Sequence, residues 1–179
     1  MAITNSFPTS VSANSIGANQ WFADDGSQNS NLYDISDGDI TLSDFSNLSI
    51  PAGATIDGIQ IDVEGAGNPI SANIPQMKVY NGSSWSSGIA FVSQFTKAGG
   101  TFTPGWGSNT ELWGLSWNAT TAEAIQIQID ASTMDAGGQG FYWDWLKVKV
   151  HYTSLALDPS EFKVLNGKVN IVSGKLTIK

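Results

Sequence analysis

The stretch SNLSIPAGATIDGIQIDVEG, residues 46–65, carries the clearest structural signal in this chain. A proline and two glycines lead into six residues that alternate strictly between apolar and polar side chains: Ile59, Gln60, Ile61, Asp62, Val63 and Glu64. Alternation with a period of two is typical of a β-strand that buries one face. The stretch contains no obvious catalytic chemistry, so we expect its role to be structural.

The same alternation recurs twice toward the C-terminus. In AIQIQID, residues 124–130, it places Ile125, Ile127 and Ile129 on one face. In WLKVKVHYT, residues 145–153, one face is predicted to hold Leu146, Val148, Val150 and Tyr152, and the other Trp145, Lys147, Lys149 and His151. Each strand is expected to bury its apolar face and to expose the polar one.

Shorter strands are predicted at residues 40–42, 77–80, 89–95 and 112–117, separated by turn signals at Asn81-Gly82, Gly99-Gly100 and Gly137-Gly138. Asn-Gly directly after MKVY, residues 77–80, indicates a hairpin. One-sided strands at short spacing form antiparallel sandwiches, because two half-polar sheets press their apolar faces together. The sequence therefore predicts an all-β fold, an antiparallel β-sandwich over residues 1–153, followed by a short C-terminal β-meander or arm.

After Thr153 the sequence changes character. Residues 154–160 contain Pro159 and are predicted to be a linker, and residues 161–179 contain three short strand-like pieces separated by Asn166-Gly167 and Ser173-Gly174. A meander of this size is marginal alone in water. It is therefore expected to pack on the sandwich, on a copy of itself or on another protein.

Composition limits the compartment and the chemistry. The chain has 179 residues, enough for one domain with a core, and it has no cysteine, so it forms no disulfide and has no thiolate. The N-terminus has neither the charged nor the apolar region of an export signal, and no run approaches the ~18 apolar residues of a membrane span. We expect a soluble protein made in the cytoplasm, with no membrane partner.

The charge is acidic and uneven. All eight basic residues are lysines, and the net charge is −8. Nucleic acid is therefore not expected as a partner, because arginine is the usual ligand of phosphate and guanine and an acidic protein repels the phosphate backbone. Residues 1–145 contain fourteen carboxylates and two lysines, whereas residues 146–179 contain six lysines and two carboxylates. The body is acidic and the C-terminal part is basic.

An acidic segment is the candidate for a metal site. It contains Asp24, Asp25, Asp34, Asp37, Asp39 and Asp44. Carboxylates on a loop favour Ca²⁺, but their spacing differs from that of an EF-hand. The preferred alternative is a solvated loop whose Asp and Asn side chains bond to their own turns, and no cofactor is predicted.

Catalytic patterns are weak. His151 is the only histidine, and we expect it on the exposed face of its strand, whereas a Ser-His-Asp relay requires a buried histidine beside a serine. No serine lies in a GxSxG motif. Carboxylate pairs for glycoside hydrolysis are numerous, but sequence spacing does not reveal the separation of about 5 to 10 Å that the mechanism requires. We predict that the protein is not an enzyme.

Tryptophans provide the best candidates for a binding surface. Trp85 in GSSWSSG and Trp106 in PGWGS are flanked by serine and glycine, and both are predicted to be exposed in loops. Exposed indole rings stack on sugars or anchor a protein partner. The alternative, that tryptophans fill the core and its ends, is favoured for Trp113, Trp117 and either Trp143 or Trp145.

Three segments together resemble a β-sandwich module of tailed bacteriophages and prophages: LSDFSNLSIPAGATIDGIQIDVEG (residues 42–65), GSNTELWGLSWNATTAEAIQIQI (107–129) and GGQGFYWDWLKVKVHYT (137–153). The family pattern combines an IPAGATI strand entry, an LWG..W turn and a final DW..V.V.Y strand. The resemblance covers residues 40–153. It implies a jelly-roll-like scaffold without catalytic residues, of a kind found in virion decorations, tail proteins and secreted bacterial proteins.

The resemblance implies a virion structural protein, and the leading hypothesis is a capsid decoration (cement) protein on the capsid exterior. Its expected partners are the major capsid protein and itself, as a homotrimer that fits three-fold positions between capsomers. The alternative is a carbohydrate- or receptor-binding module of a tail fibre, baseplate or adhesin, with a glycan stacked on the loop tryptophans. A tail-tube, portal-proximal or connector protein is the third hypothesis.

The basic C-terminal arm is the predicted docking element. Lys163, Lys168, Lys175 and Lys179 lie on strand-like pieces too short to stand alone. We expect these strands to exchange with, or add to, a sheet of a sister subunit or the capsid protein, with the lysines facing acidic surface. The alternative is that the meander folds back on its own sandwich as a third layer.

Overall fold

Strands dominate the computed structural model, which describes residues 1–12, 38–67, 76–89, 100–130, 132, 141–155, 169–172 and 175–178. These residues form, in chain order, β1 (Ala2–Ser6), β2 (Ser10–Ser12), β3 (Ile40–Ser43), β4 (Thr55–Gly67), β5 (Gln76–Tyr80), β6 (Gly100–Gly107), α1 (Ala119–Glu123), β7 (Gln126–Asp130), β8 (Phe141–Thr153), β9 (Val169–Val172) and β10 (Lys175–Ile178). No helix in this part of the chain is long and apolar enough to cross a membrane.

Two four-stranded sheets form the body. Sheet A has the strand order β1-β8-β4-β6, sheet B has the order β2-β3-β7-β5, and neighbouring strands are antiparallel. The long central pair of sheet A runs from Thr55 opposite Thr153 to Gly67 opposite Phe141. The two sheets share one apolar core. This arrangement confirms the predicted all-β antiparallel sandwich.

The core contains all nine apolar residues that the three alternating strands were predicted to point inward: Ile59, Ile61, Val63, Ile125, Ile127, Ile129, Leu146, Val148 and Val150. None of them is more than 1% exposed. Burying one such side chain contributes roughly 1.5–3 kcal/mol, so this cluster is a large source of stability.

The N-terminal segment belongs to both sheets. β1 lies at the edge of sheet A beside β8, and after Phe7 and Pro8 the chain crosses to the edge of sheet B, where β2 pairs with β3. Thr9 anchors the crossing, since its amide donates to the carbonyl of Ser43 and its hydroxyl to the carbonyl of Asp44. The sequence did not predict these two strands, because AITNS and SVS lack a clear alternation of apolar and polar residues.

Two of the shorter predicted strands are present and one is wrong. β3 and β5 include the predicted residues 40–42 and 77–80. Residues 112–117 form no strand, because Trp113 and Gly114 make a turn with φ angles of 60° and 67°, outside the extended region. Ile89 bonds to Met77 at the start of the remaining predicted strand, and residues 90–95 lie outside the described part.

Strand β6 begins where the sequence predicted a turn at Gly99-Gly100. Its sequence, GTFTPGWG, contains three glycines and a proline, which are typical of loops. It is a strand because it pairs with β4 at the edge of sheet A, where proline is tolerated. The pairing is irregular: between Trp106 opposite Ile61 and Phe102 opposite Val63, residues 103–105 stand opposite Asp62 alone.

The C-terminal segment contains a two-stranded antiparallel sheet, in which Val172 of β9 pairs with Lys175 of β10. This confirms strands in the last two pieces of the predicted meander. The first piece, residues 161–165, and residues 156–160 of the predicted linker lie outside the described part of the chain. Strand β8 ends at Thr153, where the sequence analysis placed the end of the sandwich.

Candidate functional site

A buried tryptophan fastens the loop after β6, residues 108–118, to the start of β4. The indole Nε1 of Trp113 donates to the carbonyl oxygen of Ile59 at 2.9 Å, and the amide of Ile59 donates to the carbonyl oxygen of Glu111 at 2.8 Å. The Glu111 carboxylate accepts from the Trp113 amide at 2.6 Å. Because Trp113 is only 3% exposed, its ring closes this end of the core.

Two glycines make room for this contact. A Cβ on Gly58 would lie 2.3 Å from the backbone carbonyl carbon of Asn109, and a Cβ on Gly107 would lie 2.3 Å from the carbonyl oxygen of Ile59. Gly107 also has a φ of 67°, which disfavours any other residue. Residues of two separate sequence segments, IPAGATIDGI and LWG..W, are therefore fixed by one packing contact.

The outer face of sheet A, opposite the core, is largely buried at its centre. Asp62 is 1% exposed, His151 5% and Gln60 8%. The prediction that β4 and β8 each bury one face only is therefore wrong, and so is the prediction that His151 is exposed. The physical reason is that most polar groups of the two strands bond to one another, which offsets the cost of leaving water.

A chain of hydrogen bonds connects these residues. The Lys149 ammonium pairs with one carboxylate oxygen of Asp62 at 2.5 Å, and Gln60 Nε2 donates to the other at 2.6 Å. Gln60 Oε1 lies 3.2 Å from His151 Nε2. Because an amide oxygen only accepts, His151 Nε2 carries the proton and Nδ1 carries the lone pair of a neutral ring. Nδ1 has no hydrogen-bond partner among the residues that the structure describes.

The neutral state of His151 follows from its surroundings. Burial lowers the pKa of His151 below its ordinary value of 6.5, the Lys149 ammonium lowers it further, and the carboxylates of Asp62 and Asp57 oppose the shift. Within the described residues no serine hydroxyl bonds to either ring nitrogen. Among the described residues this ring takes part in no Ser-His relay. The polar layer formed by Gln60, Asp62, Lys149 and His151 instead holds two strands together.

The other half of this face combines aromatic rings with a cation. Glu64 accepts hydrogen bonds from Trp145 Nε1 at 2.8 Å and from the Thr101 hydroxyl at 3.2 Å. Lys147 Nζ lies 4.9 Å from the ring centroid of Trp145 and 5.4 Å from that of Phe7, within the range of a cation–π contact. The two rings meet edge to face. Both lysines of β8 are thus engaged within the sandwich.

Trp85 offers an exposed aromatic surface at a hairpin. It is 39% exposed, and its ring centroid lies 5.1 Å from that of Tyr80, the residue to which it bridges across the hairpin. The side-chain oxygen of Asn81 fixes the turn, because it accepts from the amides of Ser83 and Ser84 at 3.1 and 2.9 Å. The hairpin after MKVY and the exposure of Trp85 are confirmed, and the binding role of Trp85 stays a prediction.

The predicted exposure of Trp106 is wrong. This residue is 0% exposed and stands opposite Ile61 in β6, so its ring belongs to the core. Serine and glycine around it indicated a loop, but pairing with β4 turns the ring inward. Of the tryptophans expected inside, Trp113 is buried in the core and Trp117 packs against it, whereas Trp145 is buried on the outer face of sheet A.

The predicted docking lysines fall mostly outside the described residues. Lys175 is the first residue of β10, and the other three, Lys163, Lys168 and Lys179, lie outside the described part. The acidic segment is described only at Asp39 and Asp44. Within the described ranges no three His, Cys, Asp or Glu side chains form a group that could hold a metal ion.

The polar layer is the feature that the sequence analysis missed. The sequence contains one signal of it, a complementary set of charges on the outer faces of two paired strands. β8 has two lysines there and β4 has two carboxylates: Lys147, Lys149, Asp62 and Glu64. Period-two analysis assigns polar residues to solvent, because it does not include the partner strand.

Comparison with known proteins identifies no relative: no family model matches the chain, and neither the curated proteins nor the solved structures that were searched contain a match. The function has to be inferred from the residues of this chain.

Proposed function

We propose that this chain is a structural protein of a tailed-phage virion, and that it is a capsid decoration protein that acts by binding the assembled shell. The contact between Ile59 and Trp113 carries the proposal. It joins two of the three segments that resemble the phage sandwich module, and the third segment contains β8, which pairs with β4 over twelve residue pairs. The resemblance thus falls on residues that depend on one another in the fold, as expected of a shared scaffold.

The burial of the polar side chains on sheet A supports a binding function in preference to a catalytic one. Catalytic groups have to face a substrate, whereas Asp62, Gln60 and His151 are buried and bonded to one another. A sandwich with bonded polar layers and a closed core is a rigid body. Such a body suits a protein whose task is to present a surface.

Decoration gives this rigid body a physical role. A protein that binds the assembled lattice, and not its separated subunits, stabilises the lattice by mass action. Three-fold positions between capsomers accept a homotrimer, because symmetric assemblies match symmetric sites. The major capsid protein is therefore the proposed partner, the capsid exterior the proposed location and the host cytoplasm the place of synthesis.

Mass spectrometry of purified virions tests this proposal. The abundance of this chain is measured relative to the major capsid protein, which serves as the internal standard for copy number. The expected result is hundreds of copies per particle, because decoration sites repeat over the whole shell. A handful of copies per particle, or none, would contradict the proposal.

A second function, binding of a carbohydrate, is favoured by one specific observation. Trp85 presents part of its ring to solvent while Tyr80 supports it from one side. An indole held in this way is suited to stacking on the apolar face of a sugar ring. The corresponding protein would be a receptor-binding module of a tail fibre, baseplate or adhesin.

A glycan array separates this function from decoration. The wild-type protein and a Trp85→Ala variant are compared, with Leu112→Ala as the control, because Leu112 is an apolar residue of similar exposure, 37%, in another loop. Carbohydrate binding predicts a wild-type signal that Trp85→Ala abolishes and Leu112→Ala retains. A wild-type protein that binds no glycan removes this second function.

A further inference from the structure

The four edges of the sandwich are not protected equally. β5 is covered by the segment that follows it, because Met77 and Ile89 exchange both backbone hydrogen bonds and Ser86 donates to the carbonyl of Val79. β6 contains Pro104 and an irregular register, and β2 has only three residues. Covering, proline, irregularity and shortness are the usual means by which proteins prevent a sheet edge from pairing with another chain.

Strand β1 is hydrogen-bonded to the loop before β4 only through two of its hydroxyl groups, since the amides of Asn47 and Ser49 donate to Ser6 and Thr4. Its five residues, AITNS, contain no charge and no proline, and its register with β8 is continuous from Ala2 opposite Tyr152 to Ser6 opposite Val148. No hydrogen bond between backbone groups joins its outer edge to any residue that the structure describes. An uncharged edge whose backbone groups have no backbone partner in the described part of the chain, called the open edge below, is a template for another strand.

Apolar side chains are exposed around this edge. Ile3 on β1 is 56% exposed, and Met1 just before β1 is 69% exposed. Leu155, also 69% exposed, lies two residues beyond Thr153 at the end of β8, the strand beside β1. Strand β8 therefore ends beside the start of β1, and Leu155 lies next to Gly53 in the loop before β4.

The C-terminal hairpin, β9 and β10, lacks a further strand to pair with. β9 and β10 have four residues each and form a sheet of their own, and neither is hydrogen-bonded to a described strand of the sandwich. A two-stranded sheet is at best marginally stable alone. β10 begins with Lys175, a residue type that discourages pairing, whereas the sequence of β9, VNIV, is uncharged.

We propose that β9 of one copy adds to the outer edge of β1 in a second copy, so that the hairpin becomes the continuation of its neighbour's sheet A. Strand addition supplies backbone hydrogen bonds to both unpaired edges and covers exposed Ile3. Thirteen residues separate Leu155 from Val169, and such a segment spans up to about 45 Å when extended, which is long enough to reach a neighbouring copy. This inference deepens the proposed function and rests on it for its setting, because it names the contact by which decoration subunits hold each other.

The opposite charges of the two parts favour pairing between copies. The residues after Thr153 contain four lysines and two carboxylates, whereas residues 1–153 contain fourteen carboxylates and four lysines, so the arm of one copy is attracted to the body of the next. The edge of β1 and the hairpin are different parts of the molecule. Each copy can therefore bind one neighbour through its hairpin and another through its β1 edge. Contacts of this type close into rings or into a reciprocal dimer.

Disulfide trapping tests the pairing in the full-length chain, which has no native cysteine to interfere. One variant carries Asn5→Cys on the exposed outer face of β1, and four others carry Val169→Cys, Asn170→Cys, Ile171→Cys or Val172→Cys in β9. Each β9 variant is mixed with Asn5→Cys under mild oxidation. The matched control replaces Asn5→Cys by Leu112→Cys, an exposed position far along the chain in another loop.

The expected result is a disulfide-linked heterodimer at alternate positions of β9, since only side chains on one face of an added strand reach Asn5. Cross-links no stronger than those of the Leu112→Cys control at all four positions would overturn the inference. A second set of variants carries Asn5→Cys and one of the β9 cysteines in the same chain. Cross-links that form only within these double variants would also overturn the inference, because the hairpin then folds back on its own sandwich.

This outcome is distinguishable from that of the proposed function. The trapping uses purified protein and no capsid, so trapped pairs together with absence from virions would reject decoration and leave the edge contact standing. Abundant copies in virions without trapping would reject the edge contact alone.

Discussion

The indole Nε1 of Trp113 donates a 2.9 Å hydrogen bond to the carbonyl oxygen of Ile59, 54 residues earlier in the chain. This bond fastens a turn-rich loop to the entry of the central strand of sheet A. Trp113 holds a left-handed φ of 60° there, a conformation that is uncommon for a bulky residue and persists only where surrounding contacts enforce it. The glycines that surround the contact show that backbone, ring and loop are fitted to one another.

Replacing Trp113 with Phe removes this bond and leaves the Ile59 carbonyl oxygen buried without the indole donor. We expect a loss of about 1–3 kcal/mol in the free energy of unfolding. The matched control is Trp117→Phe, which makes the same change of side chain and removes a bond to the carbonyl of half-exposed Leu112. Urea unfolding measures both variants. Equal losses at the two positions would show that the Ile59 contact has no special role.

A second prediction concerns the apolar face of β7. Ile127→Ala creates a cavity in the core, because Ile127 is 0% exposed, and should cost about 2–5 kcal/mol of unfolding free energy. Gln128→Ala, on the opposite and half-buried face, should cost much less. Comparable losses for the two variants in urea unfolding would contradict the inward and outward assignment of this strand.

A third prediction concerns the buried ion pair on the outer face of sheet A. Lys149→Met leaves the Asp62 carboxylate buried without its cation, and we expect a loss of about 3 kcal/mol. Lys78→Met is the control, because Lys78 pairs with an aspartate, Asp130, that keeps two hydrogen bonds from Ser132.

Adding Asp62→Leu to Lys149→Met should restore much of the lost stability, because a buried ion pair can be replaced by apolar side chains of similar size at little cost. Chemical unfolding of the single and double variants provides the measurement. A double variant that is less stable than Lys149→Met alone would show that Asp62 contributes through contacts other than this pair.

A fourth prediction concerns pH. Burial and Lys149 lower the pKa of His151 in the folded protein, whereas in the unfolded chain it stays near 6.5. As the pH falls below that value, the unfolded chain binds a proton that the folded protein does not, so stability decreases. His151→Gln removes this titration and should flatten the decrease between about pH 7 and pH 5.

Two measurements check this prediction. Urea unfolding at several pH values compares the wild type with His151→Gln, and a wild type that gains stability on acidification would contradict it. NMR gives the pKa directly, because the chain contains one histidine and therefore one imidazole titration curve. A measured value above 6.5 would contradict the buried neutral state.

The sequence predicted the core well because alternation reports which side of a strand is apolar. All nine predicted inward residues lie in the core, and β4, β7 and β8, which contain eight of them, are central strands of the two sheets. Strand β6 could not be predicted in this way, because its glycines and proline are typical of a loop and only the pairing with β4 makes it a strand. The burial of Trp106 depends on that same pairing.

The polar layer was hidden for a related reason. Asp62 and His151 are polar residues on an alternating strand, and alternation alone places them in solvent. Their burial depends on Gln60 and Lys149, which meet them only once β4 and β8 are in register. The open edge of β1 also depends on the order of strands, which local sequence patterns do not contain.

Electron cryomicroscopy of intact virions, at a resolution that separates strands, tests the central claim most directly. The account predicts two packed four-stranded sheets for each copy on the outer surface of the capsid, repeated at the three-fold positions between capsomers. Density for this sandwich that is confined to the tail or baseplate, or that is absent from the particle, would contradict the claim.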